Sequence, residues 1–525
     1  MDCFIMLCSN WYIFFIFSTC NKCTSTYNDS RKNHRYYFSV QGNDKNDGSR
    51  EHPFKTIGFL NTLDLSPGDS VFLKGGEIFN GNLVLVSTKP GIKKNPIVLT
   101  SYGKDNAIVN AANGSAITID NLSFVNIRNL SCKGSGRKDG NTKSGISISN
   151  SNTISVDRVD VSGFQKSGLQ LYNCKNVMIT YVNAHDNGAA GIGVEGDDTN
   201  KLSTRNIYIS NCTAVNNPGD PTNLTNHSGN GIVAGHCTQL VIDHCMATNN
   251  GWDMPRIGNG PVGIWCYESD SVIIQRCLSY RNKTSVGGAD GGGFDFDGGV
   301  TNSIIQYCYS YENQGSGYCM FQYWGASPWY HNVIRYNISE NDGLVSDSRA
   351  GVYVWNSSED EKQFHDCDFY NNTIYNSKQA VLTYSTTSQR KGFRFLNNIF
   401  VGKDSLIRGQ KGNDIFLANN WWSIEKKFEA DGINDFATWV TTYPVEQING
   451  QIKGLNVLPP FKNPGIEQLL DVIQISSFDH YKISGTSPVT QAGLDLRSLL
   501  NIDTGNEDFN GQHPVKNFMG ACTHQ

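Results

Sequence analysis

The acidic residues of one glycine-rich stretch are the first candidates for chemistry. The segment DGGGFDFDGG, residues 290–299, carries Asp290, Asp295 and Asp297 in a chain of which only 17% is charged. Asp295 and Asp297 lie two positions apart, so in a strand they share one face with Cα atoms about 7 Å apart. Paired carboxyl groups at such distances serve as acid and as base or nucleophile in glycoside hydrolysis, and side-chain rotation spans the separations of both retaining and inverting enzymes.

The surroundings of these carboxyl groups predict a shifted pKa. If aromatic side chains flank Asp295 and Asp297, mutual repulsion and poor solvation raise the pKa of one of them, as a general acid requires. Glu268, one repeat earlier and just past its strand, is the second carboxylate candidate, and Asp290 completes the catalytic set. Two alternatives stay open, namely an exposed pair that only solvates the surface and a pair that binds Ca²⁺.

A glycine-led repeat must position these residues. Its pattern is glycine, apolar, variable, apolar, variable, and it recurs as GISIS, GLQLY, GIGVE, GIVAG, GIWCY, GFDFD, GYCMF and GVYVW, beginning at Gly145, Gly168, Gly191, Gly231, Gly263, Gly293, Gly317 and Gly351. Alternation with a period of two indicates strands with one buried face. A repeat of about 23 to 40 residues with two or more strands predicts a parallel solenoid whose coils stack about 4.8 Å apart.

A second phrase of the repeat carries cysteine and asparagine. One position holds Cys212, Cys245, Cys277 and Cys308, with Asn337 next in line, and the position five residues beyond each cysteine holds Asn217, Asn250, Asn282 and Asn313. Because stacked coils bring equivalent residues into contact, we expect a buried column of thiols and a hydrogen-bonded ladder of amides. Among the 15 cysteines only Cys20 and Cys23 have CxxC spacing, so the two CxxC motifs of a typical metal site are missing, and the recurrence of cysteine in the repeat does not imply a disulfide framework.

The second and fourth residues after each glycine are predicted to point outward. In the later coils these columns become aromatic, with Trp265, Tyr267, Phe321, Tyr353 and Trp355. Insertions precede the same strands and bring His227, Arg256, Lys283 and Arg349 towards them. A sheet face open to water has no structural need for these rings, whereas sugars stack well on them. All nine residues are therefore predicted to bind substrate in an open aromatic groove.

Bulk composition bounds the partners and the compartment. A net charge of −5 and a pI near 6.1 give no reason to expect nucleic acid. The apolar run at residues 11–17 suits a signal peptide, so we expect a secreted or cell-surface protein, with lipid attachment at Cys20 as the alternative. The predicted order is a signal over 1–23, a linker over 24–36, a β-helix with an N-terminal cap over 37–420, and C-terminal coils with a capping segment over 421–525.

The repeat resembles the secreted right-handed parallel β-helix proteins of the pectin-lyase-like superfamily, over roughly residues 37–521. The opening GNDKNDGSREHPFKTI (42–57) and LSPGDSVFLKGG (65–76) is similar to the N-terminal cap and first coils of bacterial members. The ending SPVTQAGLDL (487–496) and DFNGQHPVKNFMGA (508–521) is similar to their closing strands. The resemblance implies an all-β, right-handed, single-stranded parallel β-helix with carbohydrate-active relatives. The fold alone does not choose the reaction.

Three functions follow as hypotheses. The first is a monomeric glycoside hydrolase that needs no cofactor and uses Asp295 and Asp297 on a polysaccharide. The second is a Ca²⁺-dependent polysaccharide lyase, in which a basic residue of the insertions abstracts the proton of a uronic acid while the aspartates hold the metal. The third is a non-catalytic solenoid that binds glycans through its aromatic residues. The few basic residues near the groove favour hydrolysis over elimination.

Overall fold

The computed structural model describes residues 33–523, apart from 90, 201–202, 346–348, 386–388, 426–427, 467, 484–485 and 515–516. The predicted signal segment and Cys20 therefore lie outside the described residues. The described chain winds into the predicted right-handed parallel β-helix, with parallel pairing between successive coils. Among these residues, no helix combines the length and the apolar character needed to cross a bilayer.

Two long parallel sheets form the sides of the solenoid. The smaller one, here called the site sheet, comprises twelve strands within the described residues: Leu83–Val84, Ile117–Asp120, Ile146–Ser149, Leu169–Tyr172, Ala190–Glu195, Asn230–Gly235, Val262–Tyr267, Gly292–Phe296, Tyr318–Gln322, Val352–Asn356, Leu382–Tyr384 and Ile407–Arg408. These strands alternate side chains between the apolar interior and the outer face, as the glycine-led pattern predicts.

The larger sheet continues around the remaining sides with 25 strands in the described part. They are Arg35–Phe38, Ser70–Lys74, Ile78–Asn80, Ile97–Tyr102, Ala107–Ala112, Ser123–Gly134, Asn152–Ser162, Lys175–Thr180, Asn183–His185, Thr204–Ser210, Thr213–Val215, Cys237–Asp243, Met246–Thr248, Asp270–Gln275, Leu278–Tyr280, Ile304–Gln306, Tyr309–Tyr311, Asn332–Arg335, Ile338–Glu340, His365–Tyr370, Thr373–Tyr375, Lys391–Leu396, Ile399–Gly402, Ile415–Leu417 and Asn420–Ser423. The site sheet is thus carried on a closed apolar core.

The cysteine column is confirmed. All eleven described cysteines are free and buried, and the backbone N–H of Cys245 lies 3.4 Å from Sγ of Cys277 in the next coil. At the following equivalent position the side chain of Asn337 accepts from the N–H of Cys308 at 2.9 Å. Burial raises the pKa of Cys277, so the thiol stays protonated and packs as a small apolar group.

The asparagine ladder is confirmed as well. Asn217 donates to Asn250, Asn250 to Asn282 and Asn282 to Asn313, at 2.9, 2.9 and 3.0 Å. Asn313 in turn donates to Asp342 at 2.8 Å, so the ladder ends on a carboxyl group. Each amide satisfies the coil above and the coil below, which fixes the register of the stack at this turn.

Replacing Asp342 by Asn is expected to change how stability depends on pH. Burial raises the pKa of Asp342 to about 7 even though Ser339 and Asn313 donate to it. An unfolded Asp titrates near pH 3.9. The contribution of Asp342 to the free energy of unfolding is therefore complete below about pH 4, and it is lost as the pH rises to about 7. An amide keeps the bond from Asn313 and donates to Ser339, as Asn313 already donates to Ser310 at 3.0 Å.

We therefore expect Asp342→Asn to gain on the order of 1 to 4 kcal/mol relative to the wild type between about pH 5 and about pH 8. Urea unfolding of both proteins at the two pH values measures the difference. An equal difference at both values would contradict the assignment.

The two ends of the solenoid are closed differently. At the N-terminal end, the short helix Ile57–Leu60 covers the first coil with two buried residues. At the other end, the chain makes one irregular turn that bridges Ala430 to Ile407 and Leu455 to Asn420. The helix Phe436–Thr442 plugs this end with Trp439, which packs against Trp421.

The C-terminal segment differs from the predicted set of further coils. Beyond the pair Gln447–Ile448 and Gln451–Ile452, its described residues hold the one-turn elements Val472–Ser477, Pro488–Thr490 and Leu496–Leu500. The described residues beyond 456 pack on the outside of the larger sheet, where Tyr481 donates to Glu340 at 2.6 Å and Leu469 accepts from Tyr311 at 2.8 Å. Outward-facing aromatic residues of the larger sheet explain this path, because Phe478 packs against Tyr309 and the ring of Tyr309 is buried.

Candidate active site

The outer face of the site sheet carries the predicted columns in the predicted register. Along the first column Trp265 pairs with Asp295, Asp295 with Cys319 and Cys319 with Tyr353. In the second column Phe321 pairs with Trp355, and Tyr267 lies one coil beyond Gly235. The aspartates therefore sit between aromatic coils, as the sequence predicts.

The groove is less open than the sequence predicts, because several side chains of this face are buried. Asp295 is 2% exposed, Trp265 3% and Phe321 6%, whereas Asp297 and Asp290 are half-buried. His227 of one inserted segment packs against Trp265, and Arg349 of another lies over Tyr353. This burial excludes an exposed aspartate pair that merely solvates the surface, and it leaves Asp290 and Asp297 as the more accessible carboxyl groups.

Asp297 and Glu268 meet where the strands of the site sheet end. The N–H of Glu268 donates to the carbonyl of Gly298 at 2.7 Å, which places the two residues side by side in adjacent coils. The Asp297 carboxylate accepts from the Gly298 N–H at 2.7 Å, and Glu268 accepts from the Ser327 N–H at 2.7 Å. Glu268 is 7% exposed and adopts a left-handed backbone with φ of 44°. A strained, buried acid is costly unless its partners hold it.

Asp290 occupies the opposite edge of the same coil. It ends an inserted segment, and its side chain accepts from the N–H of Gly260 at 2.6 Å. Burial raises the pKa of Asp290, and the Gly260 N–H and the charge of Arg349, whose guanidinium lies 4.9 Å over the ring of Tyr353, only partly oppose that rise. By contrast, Oδ1 of Asp295 has no hydrogen-bond partner among the described residues.

The pKa values of the three aspartates are all raised, which extends the prediction made for one of them. Burial is the main cause in each case. The pKa of Asp297 rises to about 7, with Asp290 and Glu268 adding repulsion. That of Asp295 rises well above its ordinary value because Asp297 and Asp290 add to its burial. Such a cluster holds at least one proton near neutral pH, so it combines a proton donor with a carboxylate.

His227 packs against the aromatic part of the site. Its ring meets Trp265 edge-on at 4.6 Å, and its Nδ1 lies 3.0 Å from the side-chain nitrogen of Asn230. Asn230 in turn accepts from Nε1 of Trp265 at 2.9 Å. Burial and the charge of Arg256 lower the pKa of His227 to about 4, so the imidazole is neutral around pH 7. A neutral ring here suits a hydrogen bond to a sugar better than a positive charge.

A network around Glu195 extends the site across two coils. Glu195 accepts from Tyr267 at 2.6 Å, and its other carboxylate oxygen lies 2.7 Å from Nδ1 of His236. Tyr267 reaches it by lying across Gly235, where any side chain would approach the tyrosine ring to about 2.3 Å. The sequence excluded Glu195 as a partner of Asp297 on distance. It did not predict this link, because the link depends on a tyrosine crossing a glycine.

The remaining predicted residues lie in different surroundings. Tyr353 and Trp355 are half-buried and pack edge-on against Phe321, at 5.3 and 5.8 Å between ring centroids. Arg256 bonds to Asn259 within its own segment. Lys283, however, lines a separate depression of about 560 Å³ with Thr248 and Tyr280 of the larger sheet rather than the carboxylate cluster. The structure therefore does not bring Lys283 to the aspartates.

Tyr323 is a site residue that the sequence did not single out. It follows the strand Tyr318–Gln322 and lies so close to Gly298 that a side chain there would approach its ring to about 2.5 Å. The neighbouring charges of Glu268 and Asp297 add to burial in raising its pKa. The insertion YWGASP, residues 323–328, was the available signal, because it lengthens the turn after a site-sheet strand.

A metal at this site was left open by the sequence. Within the part of the chain that the structure describes, no three His, Cys, Asp or Glu side chains are arranged to hold one metal ion together.

Comparison with known proteins gives two matches by sequence. The family described as "Pel9A-like, right handed beta helix region" matches residues 36–350. The lacto-N-biosidase of Bifidobacterium longum subsp. longum is 24% identical over 497 residues, which cover 72% of this chain and 29% of that protein. The chain thus spans less than a third of the length of this curated relative.

Solved structures with a similar course of the chain include three carbohydrate-active proteins. The native GH136 lacto-N-biosidase of Eubacterium ramulus is 16% identical, with 76% of this chain and 68% of that chain covered and a TM-score of 0.48. Pectate lyase Pel9A is 15% identical, with 94% and 98% covered and a TM-score of 0.41. The A-module of mannuronan C-5 epimerase from Azotobacter vinelandii is 13% identical, with 75% and 91% covered and a TM-score of 0.44.

Proposed function

The chain belongs to the Pel9A-like right-handed β-helix family, and we propose that within this fold it is a glycoside hydrolase that cleaves an oligosaccharide or polysaccharide. The observation that carries the proposal is the cluster of Asp290, Asp295, Asp297 and Glu268 beside an aromatic wall, in which burial raises the pKa of all three aspartates. Hydrolysis needs a proton donor and a carboxylate on either side of one glycosidic bond. The sequence similarity to a lacto-N-biosidase supports the same class of reaction.

Asp297 is the proposed general acid. Its pKa of about 7 keeps a large fraction protonated at neutral pH, and its half-buried side chain is within reach of a ligand. In the reaction it gives its proton to the glycosidic oxygen as the bond to the anomeric carbon breaks. Glu268 and Tyr323 are the polar neighbours of Asp297 at this end of the strand.

Asp290 is the proposed ionised partner. The Gly260 N–H and Arg349 favour its charged form against burial, whereas Asp295 has neither and is nearly inaccessible. The Asp290 carboxylate then either attacks the anomeric carbon or takes a proton from the attacking water. The assignment shifts the catalytic pair from Asp295 and Asp297, which the sequence favoured, to Asp290 and Asp297.

Burial argues for this shift. A carboxyl group that is 2% exposed cannot touch a sugar without a rearrangement, so Asp295 is assigned as a protonated neighbour rather than as a reactant. The half-buried rings of Tyr353 and Trp355, which pack against Phe321, are the aromatic surface that a ligand can meet, and His227 supplies a neutral polar group at its edge.

The test is a panel assay on the purified protein. Its substrates are a p-nitrophenyl lacto-N-bioside, xylan, arabinogalactan, polygalacturonate and alginate, each with and without EDTA. New reducing ends without the ultraviolet absorbance of unsaturated products support hydrolysis. Absorbance that EDTA abolishes would instead establish a calcium-dependent lyase, and binding without product would establish a glycan-binding solenoid.

The remaining expectations about the whole protein are proposals too. We propose that the protein acts outside the cell or at its surface as a monomer, from the apolar run at residues 11–17 and from the polymeric substrate class. Fractionation of the producing cells and radiolabelled palmitate separate a free secreted form from a lipoprotein held at Cys20. Light scattering of the purified chain measures its oligomeric state.

A further inference from the structure

An exposed tryptophan stands on the rim of the proposed active site. Trp324 is 79% exposed, which makes it the most exposed of the described tryptophans. Its neighbour Tyr323 packs against Gly298, directly beside Asp297. An exposed indole ring does not contribute apolar burial to the folded protein. A large exposed ring beside the proposed catalytic cluster is therefore typical of a binding surface.

The segment that carries Trp324 is braced at three points. The N–H of Ser327 donates to Glu268 at 2.7 Å, and the carbonyl of Ser327 accepts from the side chain of Gln322 at 2.9 Å. The N–H of Trp324 itself donates to Ser357 in the next coil at 2.9 Å. The backbone beneath the exposed ring is therefore fixed, so that little ordering of the backbone remains when a ligand stacks on it.

The position of Trp324 relative to the carboxyl groups defines which part of a ligand this side chain meets. Asp290 lies where its strand begins, whereas Asp297, Glu268 and Trp324 lie where the strands of the site sheet end. A glycan bound across the two aspartates and continuing past Asp297 passes Tyr323 and then Trp324. Sugar rings present apolar C–H faces that stack on an indole.

We propose that Trp324 forms an outer sugar-binding subsite, which receives a unit of an extended glycan beyond the residues that flank the cleaved bond. The inference rests on the proposed hydrolase function and adds to it that the natural ligand is longer than a disaccharide. Tyr323 links the subsite to the reacting groups through Gly298 and Glu268.

The kinetic test compares a long and a short substrate. Trp324→Ala is expected to lower kcat/KM on the polysaccharide that is cleaved best by about tenfold relative to kcat/KM on a p-nitrophenyl glycoside. Because the ring is exposed, its removal leaves no cavity in the core. Trp252→Ala is the matched control, since Trp252 is 43% exposed but is held by Asn216 at 3.0 Å and by Arg137 away from the aspartates. It should leave both values unchanged.

A binding test separates this inference from the proposed reaction. Mobility of the Asp297→Asn protein is measured in gels that contain xylan, arabinogalactan, polygalacturonate or alginate, with and without Trp324→Ala. Retardation that disappears with Trp324→Ala supports the subsite even if no substrate is cleaved. Equal retardation with and without Trp324, an equal loss with Trp252→Ala, or no retardation in any gel would overturn it. An equal decrease of kcat/KM on long and short substrates in Trp324→Ala would overturn the proposal as well.

Discussion

Asp297→Asn is expected to lower kcat on an unactivated glycan by about 10²- to 10⁴-fold, the range that a positioned general acid contributes. The amide has the shape of the carboxyl group but no proton to give to the leaving oxygen. It retains the bond from the Gly298 N–H through its carbonyl oxygen, so the surrounding turn is preserved. Steady-state kinetics on the best substrate of the panel measures the loss.

The pH profile gives the same residue an independent signature. Because the pKa of Asp297 is about 7, the acid form, and with it the rate, is lost as the pH rises through about 7. In Asp297→Asn this alkaline limb should vanish. The loss should also shrink on a p-nitrophenyl glycoside, whose leaving group departs without protonation. An alkaline limb that persists in the variant would assign the acid to another group.

Two matched variants distinguish the three aspartates. Asp290→Asn should reduce kcat about as strongly as Asp297→Asn, because a neutral amide neither attacks the anomeric carbon nor accepts a proton from water. Asp295→Asn should stay within about tenfold of the wild type, since burial already keeps this carboxyl group protonated and an amide replaces it closely. If Asp295→Asn were as inactive as Asp297→Asn, the pairing of Asp290 with Asp297 would be wrong.

Arg390→Met is expected to cost about 3 to 5 kcal/mol of unfolding free energy, the range for breaking a buried ion pair on one side. Arg390 bonds to Asp414 through Nε at 2.9 Å and through Nη2 at 2.9 Å, and both side chains are almost fully buried. The guanidinium also lies 4.1 Å over the ring of Tyr384. Without it, the carboxylate of Asp414 keeps only the hydroxyl of Tyr384 among the partners described here, at 2.7 Å.

The double variant Arg390→Met with Asp414→Leu should recover most of that loss, because the penalty comes from the unpaired charge rather than from lost attraction. Urea unfolding midpoints of the single and double variants measure both effects. The control is Lys462→Met, which removes a pair with Asp479 whose side chains are 54% and 37% exposed. It should cost at most about 1 kcal/mol. Similar losses for Arg390→Met and Lys462→Met would show that burial does not dominate.

Residue types and spacing alone were sufficient to predict a parallel solenoid, and the family resemblance added its right-handed sense. Strict alternation after each glycine fixes which side chains face inward, because a slip of one residue would reverse every face. The same constraint put Trp265, Asp295, Cys319 and Tyr353 in one column. The thiol column and the amide ladder followed from repetition, since coils of a solenoid bring equivalent residues together.

The closing segment lay beyond this kind of argument. Tyr481 reaches Glu340 across 141 positions of sequence, and that contact sends the chain back along the solenoid instead of onward as further coils. The repeat pattern has ended by then, so no periodicity describes where the segment packs. Its place is set by outward-facing aromatic residues of the larger sheet, which it buries.

The sequence by itself determined the repeat, the register and the set of carboxyl groups and rings on one outer face. The tertiary structure alone decided which of these groups are accessible, because burial depends on side chains that other coils contribute. It covered Asp295, joined Glu268 to Ser327 across 59 positions, turned Lys283 towards another depression and left Trp324 in water. A local sequence pattern predicts the face of the strand on which a side chain lies. The pKa and the contacts of that side chain depend on neighbours that are distant in sequence.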